Sequence, residues 1–94
     1  MNIRWTTAAL ADLDNILFHA QERDALEARN LRARIERAER NIATFPKAAF
    51  HNQAKGYYER YIPRTRVILV YQIIEPDVIV IAAFHTSRSV SQKP

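Results

Sequence analysis

Two apolar runs, 65-TRVILVYQII-74 and 78-VIVIAAFH-85, are separated only by Glu75, Pro76 and Asp77. No other feature of the chain narrows its fold as much. Both runs are dense in β-branched residues, which suit a pleated, packed surface. Glu-Pro-Asp is turn chemistry. The pair therefore predicts a β-hairpin. Its strands are apolar on both faces for most of their length, so each face needs cover, helices on one side and another element on the other. Neither run approaches the ~20 residues of a membrane helix, and the opening MNIRWTTAAL has no apolar signal segment. The expectation is a soluble, cytoplasmic chain with no membrane association.

Helices to cover the hairpin lie upstream. Within 8-AALADLDNILFHAQ-21, Leu10, Leu13, Leu17 and Ala20 recur at helical spacing, and Thr6 or Thr7 can cap the start. Asp12 and Asp14 fall towards the beginning of this helix, where its dipole favours acids. Asp24 can cap a second helix, whose stripe is Leu31, Ile35, Ala38, Ile42 and Phe45, with Pro46 as the stop. Two long, nearly adjacent helices make an antiparallel hairpin. Before them, 2-NIRW-5 alternates as a short strand that can join the sheet. Residues 47–61 show no clear period. The whole is an α+β fold in one domain, 1–94, with the helical hairpin packed on one face of an antiparallel sheet.

The chemistry is basic. The formal net charge is +4, and eleven of the fourteen cationic residues are arginine. Arginine pairs in a planar fork with phosphate or carboxylate, so nucleic acid or an acidic protein is the expected partner class. Cysteine is absent, which removes disulfide and thiolate chemistry. His19, His51 and His85 lack metal-ligand spacing, and a single glycine cannot build a phosphate loop. No cofactor or metal is expected. Ser87 and Ser89 read as polar tail residues. What remains is a cluster of Arg60, Arg64, Arg66, His85 and Arg88. The start of one hairpin strand lies beside the end of the next, so these groups collect at one end of the sheet, with Tyr57 and Tyr58 as stacking surfaces.

The order strand, two helices, three strands resembles the RelE/ParE superfamily of toxins. The resemblance rests on Trp5 with 8-AALADLDNI-16, on 28-ARNLRARIERAERNIATFP-46, and on 64-RTRVILVYQIIEPDVIVIAAFH-85 with Tyr71 at an aromatic position. His85 followed by Arg88 is similar to the His-x-x-Arg ending of the ParE branch. That branch implies a toxin of a type II toxin–antitoxin pair that inhibits DNA gyrase by binding. The RelE branch implies a ribosome-dependent mRNA endonuclease, with Arg64, Arg88 and His85 catalytic. Against it, residues between Pro46 and Tyr61 offer only Lys47, Lys55 and Arg60, and no tyrosine follows Arg88. The C-terminal pattern favours ParE. A basic binding module without toxicity is the third alternative. The resemblance implies a cognate antitoxin, ParD-like or other, as partner. His85 reads either as a proton carrier or, lacking an obvious partner group, as a structural residue that orients Arg88.

Overall fold

The computed structural model describes residues 1–86. Strand β1 (Asn2–Trp5) leads into helices α1 (Thr7–Arg23) and α2 (Ala25–Thr44), followed by β2 (Phe50–Asn52), β3 (Tyr57–Tyr61), β4 (Val67–Ile74) and β5 (Asp77–His85). The strands form one five-stranded sheet in the order β1-β5-β4-β3-β2. β1 pairs with β5 in parallel, and the other pairs are antiparallel. The α+β architecture, the hairpin and the joining of the first strand match the sequence reading. Four strands follow the helices where the sequence reading has three, and the two before the hairpin lie in the aperiodic stretch, where that reading places none. These two are three and five residues long and mostly polar, too short to show a period. The turn between them carries Gly56 at φ 73°, a conformation side chains resist.

Local chemistry sets the helix ends. Thr6 Oγ1 accepts the Ala9 amide at 3.0 Å and Asp24 Oδ1 accepts the Leu26 amide at 2.9 Å. Asp24 is the one residue between the helices, so the chain reverses there with little slack. The α2 stripe is buried as expected at Leu31, Ile35, Ala38 and Ile42, but Phe45 is exposed. Pro46 stops the helix at Thr44, and Phe45 then leaves the helical phase. In α1 the buried residues are Ala9, Ile16, Leu17 and Ala20, while Leu10 is exposed. The buried stripe passes one position before Leu10. Asp12 does not serve the helix dipole; it lies beyond the first turn. Its Oδ2 accepts the Ala83 amide at 3.1 Å. β1 stops pairing at Trp5 opposite Val80, so Asp12 satisfies a β5 donor just past the point where β1 ends.

One irregularity in β5 has large consequences. Val70 pairs with Ala82, but Tyr71 pairs with Val80, which leaves Ile81 as an extra, bulged residue. Alternation therefore changes phase there. Val78, Val80 and Ala83 all lie in the core with the helices, and His85 shares their face. Only one sheet face is covered by described elements. The other presents Phe50, Tyr61 and Phe84 to solvent, contrary to the expectation that a second element would cover it.

Tyr71 is the largest fully buried side chain, and its hydroxyl donates to the Pro46 carbonyl at 2.6 Å. Burial raises its pKa above the ordinary value, with the charge of Arg60 pulling the other way. The folded state thus prefers the neutral phenol. That preference contributes stability below the unfolded pKa of about 10, and the contribution is lost as pH rises through the folded value. Tyr71→Phe should cost about 1 kcal/mol near neutral pH from the lost hydrogen bond. It should also lose less melting temperature than the parent on going from about pH 9 to about pH 11. Equal alkaline losses in thermal melts of the two proteins would remove Tyr71 from the alkaline response.

Candidate functional site: a basic cleft at the mouth of the sheet

The turn from β3 to β4 is built to hold an arginine in an unusual place. Pro63 and Arg64 are its central residues, and the Thr65 amide returns to the Ile62 carbonyl at 3.2 Å. Arg64 has φ 64°, in the left-handed region. A turn with proline first and a positive φ second ordinarily takes glycine or asparagine there. For arginine this backbone costs about 1–2 kcal/mol. The surroundings enforce it. Ile62 is buried and its amide donates to the Val67 carbonyl at 3.0 Å. Thr65 Oγ1 donates to the Ile62 carbonyl at 2.7 Å and accepts the Val67 amide at 3.0 Å.

Arg64 and Arg66 enter a cleft of about 590 Å³ between the β4–β5 end of the sheet and the α1–α2 corner. His85 joins them from β5, opposite Val67, and the Thr86 amide donates to the Arg66 carbonyl at 2.6 Å. The helices contribute Arg23, Glu27 and Arg34, and Leu31 and Val67 form part of the apolar floor. Arg23, the last residue of α1, and Glu27, in the first turn of α2, are ion-paired across the break at Asp24. The hydrogen bond from Arg23 holds the Glu27 carboxyl below its ordinary pKa, and the nearby His85 acts in the same direction. The cleft therefore combines four guanidinium groups, one imidazole and two carboxylates, Asp24 and the ion-paired Glu27. Such a set binds phosphate or carboxylate groups.

Of the predicted cluster, Arg64, Arg66 and His85 do come together. Arg88, with Ser87 and Ser89, lies outside the described residues. Arg60 does not line the cleft. It pairs with Leu69, two residues further along β4 than Val67, and its charge acts on Tyr71. The two tyrosines are not at the cleft either. Tyr58 pairs with Tyr71, about 13 Å along β4 from Val67. Tyr57 points to the opposite face, because neighbours on a strand alternate. Sequence reasoning missed Arg23, Glu27 and Arg34. Their only signals were the i,i+4 spacing of Arg23 and Glu27 and the break at Asp24 between them. Among the described residues no group of three or more His, Asp or Glu is placed to hold a metal.

The positive charge is not spread evenly. Between Phe45 and Ile74 the cations are Lys47, Lys55, Arg60, Arg64 and Arg66, and the one acid is Glu59. This segment alone matches the net +4 of the whole chain. The helical half is close to neutral, so the field of the molecule originates at the sheet.

Three comparisons bear on this arrangement. No curated protein matches the sequence. Among solved structures, the chromosomal ParDE TA system from P. aeruginosa superposes with a TM-score of 0.77 at 17% identity, over 90% of this chain and 95% of that one. At that identity the likeness concerns the fold. The family model of the ParE toxin of the type II toxin–antitoxin system parDE matches residues 3–90, from within the first strand to beyond the cleft. This chain belongs to the ParE toxin family of type II toxin–antitoxin systems.

Proposed function

We propose that this ParE-family toxin inhibits DNA gyrase by binding, with the basic cleft as the contact surface, and that a cognate antitoxin neutralises it. The family match over residues 3–90 carries this reading. The cleft supports it in kind. Arg34, Arg64 and Arg66 offer guanidinium donors to an acidic surface or to DNA held by the target. An acidic or amphipathic antitoxin segment would meet the same charges, and its affinity should fall as salt is raised.

The test places purified toxin in two assays. Gyrase supercoiling should fail at stoichiometric excess, while ribosome-bound mRNA in an extract stays intact. The competing ribonuclease reading needs a group that moves protons at the scissile phosphate. His85 is the imidazole in the cleft, so it is the residue to change. His85→Gln keeps a hydrogen-bonding side chain without the imidazolium, and inhibition should stay within about threefold of the parent. Cleavage of mRNA with supercoiling untouched, abolished by His85→Gln, would replace the binding mechanism with catalysis.

A further inference from the structure

A second feature lies away from the cleft, on the part of the sheet that carries most of the charge. His51, Tyr58 and Tyr71 occupy one lateral row across β2, β3 and β4. Their side chains share the face on which the helices pack. The Tyr58 and Tyr71 rings stack at 5.4 Å with 11° between planes, and the His51 ring lies 4.5 Å from Tyr58 at 33°. The root of this stack is fixed, because Tyr71 is fully buried and hydrogen-bonded to the Pro46 carbonyl. Tyr58 is half-buried, and the tip, His51, is exposed on the edge strand. Cross-strand packing accounts for the two tyrosines. The same pairing sets His51 against Tyr58, but at an exposed edge this third ring buries little of itself.

We propose that the outer face of His51, backed by Tyr58, is a stacking site for a nucleobase, with Arg60, Lys47 and Lys55 attracting the phosphates of the same nucleotide or strand. Arg60 lies two residues from Tyr58 on β3 and so shares its face. Lys47 is in the loop before β2 and Lys55 in the β2–β3 turn, so they flank the strand that carries His51. Glu59, the one acid of this segment, is on the opposite face and accepts from Asn52 Nδ2 at 3.4 Å. A ligand for this place must be planar to stack and anionic to suit the field. An acidic peptide is anionic without a planar group to offer. A partner arginine is planar but carries the repelled charge. A nucleotide has both properties. Duplex DNA covers its base faces with neighbouring pairs, so the site selects unpaired bases. The inference stands independently of whether gyrase is the target.

The test is fluorescence anisotropy of a labelled oligothymidylate of about 12 nucleotides against the full chain at low salt. The parent should bind it more tightly than a duplex of equal length. His51→Ala, a surface change, should weaken binding about tenfold. His51→Phe restores a ring without the imidazole nitrogens and should stay within about threefold of the parent. Arg60→Ala should weaken binding and lower the slope of log affinity against log salt by about one. Competition with AMP separates the two sources of a nucleotide. Displacement at millimolar AMP, lost in His51→Ala, points to a free mononucleotide, and persistence of the complex points to a strand. Equal affinity of the parent and His51→Ala would overturn the proposal. So would equal binding of duplex and single strand, or binding of an arginine-bearing peptide with no binding of the oligonucleotide.

Discussion

Ile35→Asp is expected to leave no folded protein at room temperature. Ile35 sits midway along α2, is 3% exposed, and packs in the common core with Leu31, Ile42 and the sheet. The substitution removes a buried apolar side chain and places a carboxylate in a cluster of apolar core side chains. Burial of such an unpaired charge costs several kcal/mol, or forces its protonation at a similar cost. The whole domain has roughly 5–14 kcal/mol to lose. A milder change calibrates the site. Ile35→Val should cost about 1 kcal/mol and lower the melting temperature by about 4–8 °C. Far-UV circular dichroism through a thermal ramp measures both. A soluble Ile35→Asp protein with the parent's cooperative transition would mean that this face of α2 is not core.

Arg64→Gly is expected to move stability and function in opposite directions. The left-handed backbone at residue 64 costs arginine about 1–2 kcal/mol and costs glycine almost nothing. Glycine gives back part of this gain through its larger entropy in the unfolded chain. A net gain of about 0.5–1 kcal/mol remains, a rise of a few degrees in melting temperature. The same change removes a guanidinium from the cleft, and under the proposed function gyrase inhibition should fall by about tenfold or more, as for a charged contact at the centre of an interface. Arg64→Ala separates the two effects. Alanine keeps the backbone strain and loses the charge, so it should melt near the parent and inhibit as poorly as the glycine variant. Melts and supercoiling assays on one preparation of each give the answer. Full inhibition by Arg64→Gly would take Arg64 out of the contact surface. A lower melting temperature would mean that its side-chain contacts outweigh the strain of its backbone.

The strain at Arg64 illustrates what was legible and what was not. The sequence places Arg64 before the hairpin, and the cleft puts it beside Arg66 and His85. Nothing in Pro63-Arg64-Thr65 announced a positive φ, because arginine is not a residue that signals one. Proximity along the chain groups Arg60 with the others. The β3–β4 register instead sets it beside Leu69 and near Tyr71. In the sequence Tyr57 and Tyr58 read as a pair. One bond of strand alternation sends them to opposite faces, and only Tyr58 enters a ring stack.

By itself the sequence determined the elements that carry strong local signals. The β4–β5 hairpin follows from β-branched runs around a turn, the α2 core stripe from a sustained helical period, and the helix ends from Thr6, Asp24 and Pro46. These are short-range effects, legible within a few residues. It also determined that the sheet half is cationic, since charge needs no fold to be counted. The tertiary structure alone decided which groups meet. Simple alternation along VIVIAAFH would put Val78, Val80, Ala82 and Phe84 on the core face and turn His85 away from the cleft. The extra residue at Ile81 reverses that phase, so Ala83 packs and His85 faces the arginines. A bulge is a property of two strands in register and not of one strand's composition. Arg23 and Arg34 likewise reach the cleft only because the helices turn back at Asp24, a long-range packing outcome that no local pattern encodes.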